Sequence, residues 1–458
     1  MSDLILDKPA GETRALHAVA EADLDAFLAS QPALARAAGL NGFKAKAGQT
    51  LAAHDDAGAV VAAIGLGQRP RPDAFRAAPA RLPAGDYRLA ALPSGVPFDR
   101  IALAWAMGGY RYDRYRKPKD AVARLVAPAK TQLAEVRHVS AALALARDLV
   151  NTPANDMGPL DMELAAREVA AAFGAEVGVV SGDALKDAGY PAVHAVGRAA
   201  HPARAPRMIE LAWGRSRHPL VALVGKGVVF DTGGLDLKTA AGMRLMKKDM
   251  GGAAHALALG RMVMAQKLPV RLAVLLPVVE NAVSGDAMRP GDVLASRKGL
   301  TIEVGNTDAE GRLILADALA RAAELDPALT LDFATLTGAA RVALGPEVAP
   351  FYTDDEALAA DLAREADAEG DPLWRMPLWS GYEPALDSDI ADLKNDPDAW
   401  AQAGSVTAAL FLRRFAPQGP WAHFDIFAWI ARGGPGRPVG AEAQAVRACY
   451  AVLKARFG

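Results

Sequence analysis

The chain has a single cysteine, Cys449, among 458 residues. An intramolecular disulfide is therefore impossible, which fits a reducing compartment and a cytoplasmic location. The opening residues, MSDLILDKPAGE, lack a basic segment leading into an apolar core, so no signal peptide is expected. Long apolar runs are absent too. The best, residues 271–279 (RLAVLLPVV), is strand-sized and interrupted by proline, so no membrane span is expected. Neither charge sign dominates. A formal net charge of -2 gives no reason to expect nucleic acid or an anionic membrane as the main partner.

Several catalytic patterns are also missing. The eight histidines are scattered, without an H-E-x-x-H pair, and there is no cysteine cluster. A histidine- or cysteine-rich zinc site is therefore not expected. No G-x-S-x-G elbow occurs. Gly225-Lys226-Gly227 is no phosphate loop, because Lys226 is followed by glycine and the upstream glycine is missing.

What is present suits a globular enzyme. Apolar residues make up 52% of the chain and charged residues 23%. The length accommodates two domains. Residues 1–130 read as a small N-terminal α/β domain rich in alanine and proline, with strands expected at 60–65, 87–92 and 101–107. The basic, aromatic segment 110–119 (YRYDRYRKPK) reads as a surface turn or linker. Apolar residues at Leu133, Val136, Val139, Leu143, Ala146 and Leu149 recur at helical period, predicting a helix over about 130–150. Asn151-Thr152-Pro153 stops it. This stretch, 131–150, is expected to connect to a larger catalytic domain at 131–458.

Beyond it, strands expected at 208–213, 220–230, 272–279, 301–304 and 330–334 alternate with helices that include 252–265 and 311–325. Alternation of this kind implies an α/β domain with a mixed, largely parallel central sheet flanked by helices. Ligand sites in such sheets gather at the carboxyl ends of the strands.

Three blocks carry chemistry. In residues 220–238, Lys226 interrupts an apolar strand, Asp231 ends it, Gly233-Gly234 follow, and Lys238 closes the block. In residues 243–254, Asp249 precedes a glycine pair and an apolar helix. Residues 306–313, NTDAEGRL, carry Asp308, Glu310 and Arg312 between a strand and a helix. Each residue alone has an ordinary reading. Thr307 to Glu310 fits a helix capping box. Lys226 reads as a snorkelling lysine, Asp231 and Asp249 as loop or N-cap aspartates, and Lys238 and Arg312 as surface charges.

The combination asks for more. If Asp231, Asp249, Asp308 and Glu310 converge at the strand ends, their charge needs compensation, and two divalent cations would balance it. Asp308 and Glu310 lie two apart, so extended backbone would point both to one side. Oxygen-rich ligands suit Zn²⁺, Mn²⁺ or Mg²⁺. A lysine amine can join them once a cation displaces its proton, which gives Lys226 a role. Lys238 and Arg312 would stay cationic nearby.

These blocks resemble the leucine aminopeptidase (cytosol aminopeptidase) family of dinuclear metallo-exopeptidases. NTDAEGRL looks like the family signature. GKGVVFDTGG, Lys238 and MKKDMGGAA stand in the expected order, and weaker similarity runs through LVNTPANDMGP, ATLTGAA, ADLKN and AGSVTAALFL. Together they cover most of residues 140–415. The resemblance implies an aminopeptidase acting on peptides. It implies that Asp231 and Glu310 bridge two metals, that Asp308 completes one site partly through its backbone carbonyl, and that Lys226 and Asp249 complete the other. Lys238 would polarise the scissile carbonyl, and Arg312 would anchor a bicarbonate ion serving as general base. Met246, Asn306, Ala309, Thr335, Leu336 and Gly338 match positions lining the substrate site. A homo-hexamer is implied as well.

Some residues depart from the family pattern. Phe427, Trp429 and Ile430 are bulkier than the small residues common after H-x-D-I, and Thr232 and Asp236 replace commoner small or serine residues. Some family members bind DNA. The candidate patch here, Arg111, Arg114, Arg116, Lys117 and Lys119, reads instead as a solvated turn, so nucleic acid is not an expected partner. A dinuclear phosphoesterase would need histidine ligands that the chain does not supply.

Overall fold

The computed structural model describes residues 4–9, 11–117, 121–397 and 402–458. The chain divides into two compact units, Met1–Ala144 with Ile430–Val439, and Leu145–Trp429 with Gly440–Gly458. Both are α/β, as the alternation of elements implies.

The first unit holds a six-stranded sheet in the order Ile5–Leu6, Ala123–Val126, Gly85–Leu89, Thr13–Ala20, Val60–Gly67, Thr50–His54. All neighbours are parallel except the last pair. The strand expected at 101–107 is a helix, Phe98–Gly108. A continuous apolar run has the same pattern in a buried helix as in a buried strand. Here it is alanine-rich and buried on most sides, and the Trp105 indole N–H donates to Ala123 O at 3.1 Å, tying the helix to the sheet. Residues 110–117 carry no regular structure, and Arg111, Arg114, Arg116 and Lys117 are exposed there. Lys119 lies outside the described residues.

The helix after the linker runs Ala134–Asn151. It buries Val136, Val139, Leu143, Ala146 and Leu149 along one stripe. It starts later than the periodicity suggests because Lys130 takes a left-handed φ of 65°, which no helix accommodates.

The second unit is built on a nine-stranded sheet. Its order is Leu373–Arg375, Ala349–Tyr352, Trp421–Asp425, Leu329–Ala334, Leu220–Gly225, Arg271–Asn281, Arg207–Trp213, Glu176–Ser181, with Gly227–Asp231 also beside Arg271–Asn281. The centre is parallel, and Arg207–Trp213 and Glu176–Ser181 form an antiparallel edge. The central strands are buried on both faces, which is why they read as unbroken apolar runs rather than alternating ones.

The strand expected over 220–230 is two strands broken at Lys226. The break is a backbone event. Lys226 N donates to Phe333 O at 3.0 Å, and Lys226 O accepts from Ala253 N at 2.8 Å. The helix Gly251–Ala265 starts against the sheet at this point.

His255, in that helix, is fully buried. Its Nδ1 lies 2.6 Å from Gly251 O and its Nε2 lies 3.1 Å from Gln444 N. Nδ1–H therefore donates and Nε2 accepts, an arrangement that needs the neutral ring. Burial pulls the imidazole pKa from 6.5 down to about 4. The unfolded chain takes up this proton near pH 6.5, whereas the folded chain resists until about pH 4. Stability from this group is thus complete above the unfolded value and is lost as pH falls through that window, by about 3 kcal/mol in all. Melting temperatures measured at neutral pH and at mildly acidic pH are expected to differ more for the parent than for His255→Asn. Equal differences would remove this explanation.

Candidate metal centre

The centre forms where strand ends meet three loops. Asp231 ends Gly227–Asp231, and Asn281 ends the neighbouring Arg271–Asn281 in register with it. Asn281 Nδ2 donates to Asp231 Oδ1 at 2.8 Å and to Thr307 O at 3.2 Å, so one amide joins two of the sequence blocks. Gly233 N also donates to Asp231 Oδ1, at 2.9 Å. Gly233 and Gly234 turn the chain sharply with φ of 91° and 67°. A Cβ on Gly233 would stand 2.4 Å from Asp236 O, so glycine is required there.

The turn returns Lys238 to Asp231, where its Nζ lies 2.8 Å from Oδ2 and also pairs with Asp308 Oδ1. Burial draws Lys238 down, but Asp231 and Asp308 outweigh it and raise its pKa above the ordinary lysine value. Lys226 Nζ lies 2.6 Å from Asp249 Oδ2 and 2.9 Å from Glu310 Oε1, and donates to Thr335 O at 3.2 Å. Its burial is likewise outweighed, by Asp249, Glu310 and Asp231, and its pKa is raised. Asp249 sits in the short 3-10 segment Met246–Met250, and Thr335 Oγ1 donates to its Oδ1 at 2.8 Å.

Two expectations about NTDAEGRL need correction. Residues 307–309 form a turn rather than extended backbone, and Glu310 is the first residue of the helix Glu310–Glu324. The N-cap is Ala309, which has no side-chain cap. Thr307 does not cap. Its hydroxyl donates to Gly233 O at 2.6 Å and accepts from Asp236 N at 2.8 Å, while Asp236 Oδ2 accepts from Thr307 N at 2.7 Å. A threonine that could serve a helix end is drawn instead to a loop 71 residues away. The departure at Asp236 has its use here, because a carboxylate accepts the Thr307 N–H and locks the two loops together.

The carboxylates converge all the same. One ligand oxygen from each of Asp231, Asp308 and Glu310 lies within 4.8 Å of the others. Asp249 faces Glu310 across Lys226. Burial first, and Asp231 second, push the Glu310 and Asp308 carboxyls above the usual carboxylate range. Asp249 is held low, because Lys226 and Lys248 outweigh its burial. Asp249 Oδ2, Asp308 Oδ1 and Glu310 Oε1 are buried, and although each faces a lysine ammonium, none has a hydrogen bond of normal geometry. Buried carboxylate oxygens that are paired by charge but not by directed donors fit a cation site of oxygen ligands with a lysine amine beside them.

Arg312 is buried in the same helix, and its guanidinium donates to Asn395 O. Asn395, fully buried, accepts from Gly305 N at 2.8 Å and donates to Asn306 O at 2.8 Å and Ala309 O at 3.2 Å. Asn395 and Asn281 brace the signature loop. Neither has a role that its place in the sequence foretells, although Asn395 ends the ADLKN block. Met246, Asn306, Ala309 and Leu336 are half-buried, Gly338 is exposed, and Thr335 is buried against Asp249. The two aromatic residues after H-x-D-I, Phe427 and Trp429, have cationic partners. Phe427 has Lys248 Nζ 5.3 Å and Arg341 4.5 Å from its ring centre, and Trp429 has Lys247 Nζ at 5.5 Å. These are cation–π contacts.

Comparison with known proteins identifies the family. Residues 144–450 match the catalytic domain of the cytosol aminopeptidase family, and residues 15–128 match the M17 aminopeptidase N-terminal domain. A probable cytosol aminopeptidase from Syntrophotalea carbinolica is 38% identical over 92% of this chain and 91% of its own length. The crystal structure of the cytosol aminopeptidase from Coxiella burnetii is 42% identical, covers 100% of both chains and superposes with a TM-score of 0.93. The bottromycin maturation enzyme BotP, solved in complex with Mn, is 36% identical, with 97% of this chain and 99% of that one covered and a TM-score of 0.86. The chain therefore belongs to the cytosol aminopeptidase family and is a metallo-aminopeptidase.

Proposed function

We propose that the chain removes the N-terminal residue of peptides through a water that bridges two divalent metals held by Lys226, Asp231, Asp249, Asp308 and Glu310. The observation that carries this reading is the meeting of Asp231, Asp308 and Glu310 within 4.8 Å beside Lys226 and Asp249. When bound, the two cations would bring the pKa of the shared water toward neutrality and take the free α-amino group of the substrate. An internal peptide nitrogen cannot bind as an amine, so cleavage is confined to the terminus.

The chain's own residues divide the remaining work. Asp231 and Glu310 would each reach both cations, Asp308 would complete one site, partly through its backbone carbonyl, and Asp249 with Lys226 the other. Lys238, which faces Asp231 and Asp308, would stabilise the negative charge that develops on the carbonyl oxygen. Arg312 would hold bicarbonate as the general base. Met246, Asn306, Ala309, Thr335, Leu336 and Gly338 would line the substrate site. Zn²⁺ and Mn²⁺, or Mg²⁺, suit the donor set. The manganese bound by the BotP relative supports a metal of this class. The same reading places the enzyme in the cytoplasm as a homo-hexamer, with residues 1–130 as an N-terminal domain, 131–150 as the connecting helix and 131–458 as the catalytic domain.

Chelated protein is expected to lose hydrolysis of aminoacyl p-nitroanilides and to regain it when Mn²⁺ or Zn²⁺ is returned. Anomalous scattering should then locate two ions within about 4 Å of each other. Full activity in metal-free protein would overturn the proposal.

A further inference from the structure

We propose that Asp425 is a positioning residue for the reaction, setting through its buried carboxylate the backbone of the segment Thr335-Leu336-Thr337. The inference rests on the reading above, in which Thr335 and Leu336 line the substrate site.

Asp425 ends the strand Trp421–Asp425, opposite Ala334 at the end of the parallel strand Leu329–Ala334. Residues 335–337 leave the sheet at that point. Asp425 Oδ1 accepts from the backbone N–H of both Leu336 and Thr337, each at 3.0 Å. Its Oδ2 accepts from Thr337 Oγ1 at 2.7 Å and from Ser405 Oγ at 2.9 Å. Ser405 accepts in turn from the Tyr352 hydroxyl at 2.7 Å. Asp425 is 2% exposed, Ser405 5% and Tyr352 0%. Four donors thus converge on one carboxylate in a dry setting, where directed, charge-assisted bonds hold geometry most firmly.

The other end of the segment reaches the metal centre. Thr335 O accepts from Lys226 Nζ at 3.2 Å, and Thr335 Oγ1 donates to Asp249 Oδ1 at 2.8 Å. Three consecutive residues therefore link the candidate ligands Lys226 and Asp249 to an anchor that touches neither. Thr337 also caps the helix Gly338–Leu344 by accepting from Ala340 N at 3.2 Å, so the anchor aims that helix as well. An alanine at 425 would leave two backbone N–H groups unpaired. An asparagine would keep one acceptor for them but set an amide N–H₂ against two hydroxyls that now donate.

The test uses full-length, metal-loaded parent, Asp425→Ala, Asp425→Asn and Ser405→Ala. Melting temperature and bound metal are measured first. Then kcat and KM are measured for leucyl and alanyl p-nitroanilides. Asp425→Ala is expected to lose about tenfold or more in kcat/KM at the parent's metal content, because small misplacements of a substrate-positioning segment are costly. The leucyl-to-alanyl preference is expected to shift at least about threefold, a change that mere destabilisation would not produce. Asp425→Asn should fall between parent and Asp425→Ala, and Ser405→Ala should lose less than either. If Asp425→Ala does not fold, Asp425→Asn, which keeps the shape, decides. A folded, metal-dependent Asp425→Asn that matches the parent in kcat/KM and in preference would overturn the positioning role while leaving the proposed function intact. Metal-independent activity in the parent would instead overturn the proposed function.

Discussion

Glu310→Gln is expected to lower turnover of aminoacyl p-nitroanilides by about 10³-fold or more and to remove the rise in melting temperature that added divalent cation gives the chelated parent. Glu310 is buried at the start of its helix, with Oε1 2.9 Å from Lys226 Nζ and in the same cluster as Asp231 and Asp308. The amide keeps the volume but removes one negative charge and one strong oxygen donor. Metal chemistry supplies several kcal/mol to a transition state, and each 1.4 kcal/mol is about tenfold in rate.

The cation-free protein should behave in the opposite sense. Burial, and then Asp231, disfavour the ionised Glu310 carboxyl. A neutral amide relieves that cost, while Lys226 keeps Asp249 as its partner at 2.6 Å. Chelated Glu310→Gln is therefore expected to melt no lower than chelated parent, so lost activity would not reflect lost folding. Retained turnover, or an undiminished metal-induced shift in melting, would sink the assignment of Glu310.

Gly252→Ala is expected to cost more stability than any other substitution proposed above. A Cβ at this position would stand 2.0 Å from Phe333 O and 2.8 Å from Lys226 N. These two atoms are hydrogen-bonded to each other at 3.0 Å, and Lys226 O accepts from Ala253 N at 2.8 Å, so neither side of the contact can withdraw freely. The methyl must push apart the helix start and two central strands. Overpacking of this kind costs on the order of 3 kcal/mol, which lowers a melting temperature by several degrees. Because Lys226 sits at the contact, activity should fall with stability. Gly285→Ala is the control, since among the described residues nothing lies within 4 Å of its added methyl. Equal melting of the two variants would show that the close approach at Gly252 is dispensable.

Much of this protein was legible from local pattern. The α/β class followed from the alternation of apolar strands and helices, and the order of the central elements survived in the structure with small shifts at their ends. The chemical inventory was legible as well. Lysines and carboxylates at the ends of apolar elements, in three blocks with histidine absent, pointed toward an oxygen-rich metal site, which stands as the proposal above.

Local pattern failed where distant residues decided. Residues 101–107 form a helix because a run that is apolar throughout carries no period, and only the space beside the sheet selects one form. Thr307 stood in a capping-box pattern, yet Gly233 and Asp236 offered its hydroxyl partners that the helix end could not match. Asn281 lies in no quoted motif, and although Asn395 ends ADLKN and Asp425 stands in H-x-D-I, neither pattern says what its side chain does. Each gains its role by being buried beside backbone groups far away in the sequence that need a partner. The sequence alone thus determined which side chains were available and the elements that carry them. The tertiary structure decided which of them share a charge, because hydrogen-bond and Coulomb energies depend on separations in space that sequence spacing does not encode.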